Sequence, residues 1–327
     1  MSSKVSLLPI DVDTYEPHEL HAGERDWTET NCYIDLWIEL LSALGLDPHP
    51  ANACALSAGF QGDQWMFIKY EPEDMRDLYG IDVGEMNIWR SVIDHVVEQL
   101  KFGRFLTVEV DSFYLPDTAG VAYQIAHTKT TIVPNVVDVD NRYLEYFHNA
   151  GYFALDGDDF DRIFNLIDPD PRVLLPYIEL VDMSRMQVRP DLVEVAVKVA
   201  HRHLSLAPAD NPIDALAARI DSDLPTLADE GLENFHLYAF GMLRQCGVTA
   251  ELAADFCSWL ASNGVHGEET LTEAAGHYLD VSHGMKSLQM QLARAARGRK
   301  VDLAQSLSAV EQSWGSATSL MRQWHAN

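Results

Sequence analysis

The chain has 327 residues, of which 47% are hydrophobic and 22% are charged, and its formal net charge is −27. This composition supports a folded core and excludes a disordered chain, and the length fits one large domain or two modest ones. The acidic excess argues against binding to nucleic acid or to anionic membranes, because both depend on clustered Lys and Arg.

Targeting and disulfide signals are missing from the sequence. No run of 18 apolar residues occurs, and the apolar stretch near the N-terminus is too short for a signal peptide. The four cysteines contain no CxxC pair, which argues against a disulfide framework and a structural zinc site. We therefore expect a cytoplasmic protein that does not associate with membranes.

The first strong helical pattern begins at Cys32. Its apolar positions recur at helical spacing: Ile34, Trp37, Ile38, Leu41 and Leu44. Thr30 or Asn31 can cap the start, and Gly45 suits the end. Cys32 then lies in the first turn, where unpaired N–H groups and the helix dipole favour a thiolate. Such a cysteine is a candidate nucleophile, or else a small hydrophobic residue of the core.

Strand-like runs follow in the middle of the chain. Residues 108–115 begin with alternation and end at Pro116, and residues 128–133 are rich in β-branched side chains. Residues 136–147 have the pattern of two strands around a turn at Asp140-Asn141. These runs predict an antiparallel sheet, with helices near 84–100 and 158–167.

The chain after residue 190 is helical in pattern throughout. Helical periodicity is found at 191–204, 213–228, 230–246, 249–263, 268–296 and 301–324. Pro208 and Pro212 interrupt it, and Gly247 and Gly264 are predicted helix stops. We therefore predict an α+β protein, with an N-terminal domain over 1–189 that carries Cys32 and a sheet, and an all-α domain over 190–327.

Three residues follow the order expected of a thiol-dependent active site. Cys32 lies on the first helix, His127 directly precedes a strand-like run, and His148-Asn149 closes the next strand. In such a site the imidazole must contact the sulfur on one side and an orienting group on the other. The chain has 13 histidines, so a coincidental order remains the alternative.

Other patterns favour structural roles. Cys54, Cys246 and Cys257 are expected in the core. The remaining histidine pairs lack a carboxylate at a diagnostic spacing, so no metal site is predicted. Asp111 either orients substrate or Tyr114, or caps a turn. Residues 156–159, which include three Asp, are expected to start a helix.

Several short motifs are spread over the first half of the chain. They are Asn31-Cys32, Ala58-Gly59-Phe60, Phe67-Ile68-Lys69, Tyr79-Gly80-Ile81 and the run Val-Asp-Ser-Phe-Tyr-Leu-Pro at 110–116. With His127 eleven residues after Pro116, they resemble the N-terminal half of the acyltransferases of butirosin biosynthesis. That family is papain-like and moves an acyl group from a carrier-protein thioester to an amine.

Two runs resemble a second family more closely. They are Asp-Ser-Phe-Tyr-Leu-Pro-Asp-Thr at 111–118 and Tyr-Phe-His-Asn-Ala-Gly-Tyr at 146–152. Both are similar to a bacterial family of unknown function in the same papain-like superfamily, whose members are often encoded beside amino acid:carrier-protein ligases. The matching motifs cover residues of about 25 to 185, whereas the remainder of the chain resembles the family only in its general helical pattern.

The resemblance implies a role for each residue of the site. Cys32 would be the nucleophile, His127 the base and Asn149 the orienting residue. Asp138 competes with Asn149, because the butirosin-type pattern has an Asp before Pro where this chain has His148-Asn149-Ala150.

Oxyanion and substrate contacts are less defined. The position six residues before Cys32 is Asp26, whereas papain has Gln there. The Cys32 N–H and the Asn31 side chain are therefore the expected oxyanion donors. Asp111 and Tyr114 are the expected substrate contacts.

The expected function is transfer of an acyl or aminoacyl group from a carrier-protein phosphopantetheine thioester, through a Cys32 thioester, to an amine. Hydrolysis of a thioester or amide by the same residues, and a non-catalytic carrier-protein binding module, are the alternatives. No bound cofactor is expected, because the carrier protein presents the phosphopantetheine. The expected partners are an acyl or aminoacyl carrier protein and an amino acid:carrier-protein ligase.

One segment departs from the acidic character of the chain. Residues 286–300 contain no acid and five basic residues: Lys286, Arg294, Arg297, Arg299 and Lys300. This segment is either a docking face for an acidic partner or a phosphate, or a basic helix packed against the acidic remainder.

Overall fold

The computed structural model describes residues 4–22, 25–27, 29, 31–167 and 174–326. It divides the chain into two compact units. The first comprises Met1–Gly23, Asn31–Pro48 and Glu71–Arg189, and the second comprises Glu24–Thr30, His49–Tyr70 and Pro190–Asn327. The second unit therefore also takes residues 24–30 and 49–70, which the sequence had placed in the N-terminal domain.

The first unit is built on one antiparallel sheet. Its strands are β1 (Lys4–Ser6), β2 (Asp82–Glu85), β3 (Phe105–Asp111), β4 (Lys129–Asp138), β5 (Tyr143–His148), β6 (Gly151–Asp156) and β7 (Ile178–Asp182). Within the described residues the order is β2-β7-β3-β4-β5-β6, and β1 pairs with β4 beside this path. Every pairing is antiparallel, as predicted.

Strand β4 joins two runs that the sequence suggested were separate. Its register against β5 shifts between Pro134 and Val136, so Asn135 forms a bulge. A bulge accommodates a proline in a strand, because the proline lacks the N–H that a regular ladder requires. The predicted turn at Asp140-Asn141 is confirmed, since it separates β4 from β5.

The helix predicted at Cys32 is confirmed as α1 (Cys32–Ala43). Gly45 ends it with a φ of 73°, and the Leu46 N–H reaches back to the Leu41 carbonyl. The helix packs against β4, β5 and β6, and Trp37 is fully buried. Burial of one such large apolar side chain contributes roughly 1.5–3 kcal/mol.

Two acidic residues of α1 are buried as completely as its apolar face. Asp35 and Glu39 have no exposed surface, and both bind the His21 imidazole. The Tyr15 hydroxyl donates a short hydrogen bond to Glu39. The sequence pattern predicted one apolar face, whereas this His–carboxylate cluster allows α1 to be buried all round.

The remaining helices of the first unit lie around the sheet. They are α2 (Pro72–Tyr79), α3 (Val92–Lys101) and α4 (Gly157–Ile163). The acidic helix start predicted at 156–159 is confirmed by α4, which begins at Gly157 with Asp158 and Asp159 in its first turn.

Helices dominate the second unit, as predicted. They are α5 (Leu192–Leu206), α6 (Pro212–Ala239), a π-helical turn (Phe240–Arg244), α7 (Gln245–Ser262), α8 (Glu268–Ala295) and α9 (Ala304–Ala326). Helix α8 packs against both α7 and α9. Within the described residues, none of the helices combines the length and apolarity needed to cross a membrane.

The two predicted glycine stops have different outcomes. Gly264 follows α7 with a φ of 73°, so this prediction is confirmed. Gly247 lies inside α7, and the prediction of a stop there is wrong. A Cβ at Gly247 would come within 2.6 Å of the Trp27 ring, so the glycine serves close packing instead.

Candidate active site around Cys32 and His127

Cys32 is the one cysteine of the four that is not buried. Cys54, Cys246 and Cys257 are 4%, 0% and 0% exposed, which confirms their prediction as core residues. Burial raises the pKa of the Cys246 and Cys257 thiols well above the ordinary value. Cys32 therefore remains the candidate nucleophile.

Asn31 holds the start of α1 as a cap. Its side-chain oxygen accepts hydrogen bonds from the N–H groups of Tyr33 and Ile34, at 3.1 and 3.0 Å. Of the two predicted caps, Asn31 is confirmed, and Thr30 lies outside the described residues. Cys32 occupies the first helical position, where the dipole favours an anion.

Tyr33 anchors this helix start to a buried carboxylate on the sheet. Its hydroxyl donates to Glu179 Oε2 at 2.9 Å, and Thr107 donates to the same oxygen at 3.0 Å. The Tyr177 hydroxyl donates to Glu179 Oε1 at 3.1 Å. Burial, and then the Glu179 charge, raises the pKa of Tyr33.

Glu179 is only 7% exposed, and it accepts a hydrogen bond from Tyr33, the residue that follows Cys32. The sequence pattern does not single out Glu179 as a residue of the site. The available signal was a single Glu at an alternating position of the short run that forms β7.

The His127 imidazole is oriented by Asp111. Its Nδ1 lies 2.6 Å from Asp111 Oδ2. The other carboxylate oxygen accepts the N–H groups of Phe113 and Thr128, at 3.0 and 3.2 Å. The Phe113 ring stacks on the imidazole with 4.3 Å between centroids, and the Tyr114 ring lies edge-on at 6.3 Å.

Contacts therefore restrain His127 although its side chain is 66% exposed. Among the described residues, its Nε2 accepts no hydrogen bond and donates none. The prediction that Asp111 caps a turn is confirmed by its bond from the Phe113 N–H. Its predicted contact with substrate stays a prediction, and its observed side-chain partner is the His127 imidazole.

Asp111 holds the place that the sequence assigned to Asn149, or to Asp138 as the alternative. Asn149 lies in the turn between β5 and β6, with a φ of 46°. Asp138 ends β4, roughly 30 Å from its first residue at strand spacing, and binds Asn141. The order along the chain did not reveal that β3 ends beside the point where β4 begins.

The register of the sheet places Cys32 and His127 on the same side. Thr107 and Asp111 are four residues apart on β3, so their side chains share a face at roughly 13 Å separation. Thr107 shares a carboxylate with Tyr33, and Asp111 binds His127. Within the described part of the chain, no hydrogen bond joins the Cys32 thiol to the imidazole.

His148 belongs to a separate, buried network. Its Nε2 lies 2.7 Å from Thr130 Oγ1 and its Nδ1 lies 2.5 Å from Asp117 Oδ2. The Tyr146 hydroxyl donates a short hydrogen bond to the other Asp117 oxygen. His148 is 1% exposed, so this network fixes structure rather than contacting substrate.

The two histidines lie on opposite faces of the sheet. His148 pairs with Ile132, which pairs with Val108, and Val108 follows Thr107. Both are nevertheless held by the 111–118 run, since Asp111 binds His127 and Asp117 binds His148. This run therefore has a defined role as the loop that positions both imidazoles.

The basic segment of the second unit is only partly available for docking. Lys286 donates to the Asp26 carbonyl at 3.0 Å and lies 4.2 Å from the centre of the Trp27 ring. Lys286 is thus engaged inside the unit, and its role as a docking residue stays a prediction. The other four basic residues are exposed: Arg294, Arg297, Arg299 and Lys300.

Fold and site together define a mixed α+β protein in which a cysteine starts a helix packed on an antiparallel sheet, followed by a helix-rich region. The model of the DUF1839 N-terminal domain matches residues 16–183, and that of the DUF1839 C-terminal domain matches residues 189–323. The chain therefore belongs to the DUF1839 family, a bacterial-type family of unknown function. No curated protein matches it.

Proposed function

We propose that this protein is a papain-like transferase that moves an acyl or aminoacyl group from a carrier-protein phosphopantetheine thioester, through Cys32, to an amine. The observation that carries the proposal is the His127–Asp111 pair. It leaves Nε2 unengaged, on the sheet face where α1 begins with a partly exposed cysteine. A reducing, cytoplasmic setting is part of the proposal, because the four cysteines are free thiols.

The first step is thioester exchange. His127 Nε2 takes the Cys32 proton, and the thiolate attacks the donor carbonyl. The carbon–sulfur bond of the donor breaks, and the phosphopantetheine thiol leaves with the proton. The Cys32 N–H, with Asn31 as the second predicted donor, would stabilise the oxyanion.

The second step is aminolysis. The amine attacks the Cys32 thioester, and His127 transfers the amine proton to the departing Cys32 sulfur. Asp111 accepts from Nδ1–H in both steps, which keeps Nε2 as the proton acceptor. The reaction requires the Cys32 thiol and the His127 imidazole to lie about 3–4 Å apart when substrate is bound.

A non-catalytic carrier-protein binding module is the second candidate. The lack of a thiol–imidazole hydrogen bond among the described residues favours it. In that case the His127–Asp111 pair would be a surface contact for the carrier protein.

Intact-mass measurement separates the two candidates. After incubation with an aminoacyl-loaded carrier protein, the transferase gains the mass of one aminoacyl group, and peptide mapping locates it on Cys32. Cys32→Ser loses the thiol nucleophile and its activity, while carrier-protein binding persists. An unmodified chain in every loading condition favours the binding module, and full transfer by Cys32→Ser refutes the role of the thiol.

Addition of an amine or of water alone then distinguishes transfer from hydrolysis. A transferase releases an amide product when amine is present and retains its adduct in buffer. Rapid loss of the adduct as free acid in buffer supports hydrolysis by the same residues.

A further inference from the structure

The outward side of α8 presents an apolar and basic stripe. Four exposed residues of α8 recur at intervals of three and four, so they share one helix face: His283, Ser287, Met290 and Arg294. The exposed Arg297 follows in the turn after the helix. Met290, near the middle, is 62% exposed. We name these five residues the α8 stripe.

Four cations gather at the C-terminal end of the stripe. Helix α8 ends at Ala295, and the Arg299 N–H bonds back to the Arg294 carbonyl around Gly298, which has a φ of 74°. Arg297 and Lys300 lie within this same turn region. Among the described residues, none of the four forms an ion pair with an Asp or Glu.

Stabilisation of the helix end does not account for this cluster. The dipole favours a cation near the C-terminus, but its effect is confined to the last turn, and one arginine supplies the interaction. Two further arginines and a lysine beyond the helix repel one another there. In a chain of net charge −27, an exposed methionine followed by four cations that form no ion pair with the described acidic residues has the features of a binding surface.

We propose that the α8 stripe, with Arg299 and Lys300, is the docking site for an acidic helix of the carrier protein. This inference rests on the proposed function, because it names the partner that delivers the thioester. The four cations favour a partner surface that is acidic, because the charges are complementary. The exposed Met290 favours an apolar residue within that partner surface.

A nucleic acid fits this surface less well than a protein helix. It offers no apolar side chain for Met290, and the acidic body of the chain would repel a long polyanion. A groove of about 380 Å³ between α8 and α9 adjoins the stripe at Ser287, which extends the surface available to a folded partner.

Binding of a purified phosphopantetheinylated acyl carrier protein, measured by calorimetry with full-length protein, tests the proposal. Arg294→Glu with Arg297→Glu should weaken binding by about tenfold or more, because two attractions become repulsions. Binding to the parent chain should weaken roughly tenfold as salt rises, because exposed charges are screened. Met290→Ser should weaken binding at every salt concentration.

Matched controls change the same charge and apolarity elsewhere. Lys101→Glu with Lys198→Glu gives the same net charge on exposed residues of α3 and α5, and Leu237→Ser removes an exposed apolar residue of α6. Both controls should bind like the parent chain. Equal weakening in the charge controls would mean that only net charge acts, which overturns the proposed location.

Two further outcomes overturn the proposal. One is carrier-protein binding that is unaffected by both stripe variants, or absent in all conditions. The other is tighter binding of a single-stranded DNA oligonucleotide to the stripe. The Cys32→Ser chain distinguishes this failure from that of the proposed function, because it should retain docking without acylation.

Discussion

The partial exposure of Cys32 distinguishes it from the other three cysteines and predicts that it is the most reactive. At pH 7, iodoacetamide should label Cys32 before Cys54, Cys246 and Cys257, because burial hinders access and disfavours the thiolate of the last two. Timed alkylation followed by peptide mapping measures the order. Finding Cys32 the slowest of the four would exclude it as a nucleophile.

The contact of the Asp111 carboxylate with His127 predicts an effect on the rate of Cys32 acylation. Asp111→Asn should leave the fold intact but slow Cys32 acylation by roughly 10²–10⁴-fold, because an amide can donate to Nδ1 and stabilise the wrong tautomer. Single-turnover mass spectrometry measures the rate. Asp138→Asn is the matched control, since it changes the competing candidate without contact to His127. Equal rates in both variants would remove Asp111 from the mechanism.

Sequence order could identify Cys32 and His127 as candidates, but not the partner of the imidazole. Asn149 follows His127 along the chain, as the expected pattern requires, whereas Asp111 precedes it. Their contact depends on the pairing of Asp111 with Lys129 at the shared end of β3 and β4. Such a register is a tertiary property, and periodicity alone does not determine it.

At the scale of elements, the cap of α1 controls the helix that carries the thiol. Asn31→Ala removes the acceptor for two N–H groups and should destabilise the fold by about 1 kcal/mol. Urea denaturation of the parent chain and variant measures the change. Asn31→Ser should recover most of the loss, because Ser is also a good cap. No recovery by Ser would show that other contacts of Asn31 dominate.

Helices were predictable because their apolar residues repeat over many turns. The predicted stretch 268–296 and α8 differ by one residue at the C-terminal end. Short strands carry less signal. Strand β7 has five residues and buries Glu179, whose hydroxyl partners are Tyr33 of α1, Thr107 of β3 and Tyr177 just before β7. A charged residue in the core becomes intelligible only when those partners are known.

At the scale of the whole molecule, each unit contains a buried group that should make stability depend on pH. In the first unit burial lowers the pKa of His21, but hydrogen bonds to Asp35 and Glu39 outweigh it and raise the pKa from 6.5 to about 9. A raised histidine pKa stabilises the fold fully below pH 6.5, and this contribution is lost as pH rises through 9.

His21→Asn should therefore remove stability mainly below pH 9. The loss should reach about 3 kcal/mol below pH 6.5, which corresponds to the shift in the pKa. Urea denaturation at pH 6 and pH 9.5 measures it. NMR titration of the His21 ring in the parent chain gives an independent check, and a midpoint near 6.5 would contradict the ionic cluster.

Glu251 predicts a separate dependence in the second unit. Burial, despite the nearby charge of Arg25, raises its pKa from 4.5 to about 7. A carboxyl with a raised pKa favours the fold below pH 4.5 and loses that contribution as pH rises through 7. The cost of ionising Glu251 in the folded protein is about 3 kcal/mol at pH 8.

Glu251→Gln places a neutral side chain of the same shape at this position. The unfolding free energy of the variant should therefore not decline between pH 4.5 and 7, as that of the parent chain should. Because the His21 window lies higher, denaturation across pH 4–10 separates the two groups. Parallel pH profiles for Glu251→Gln and the parent chain would mean that Glu251 ionises without cost.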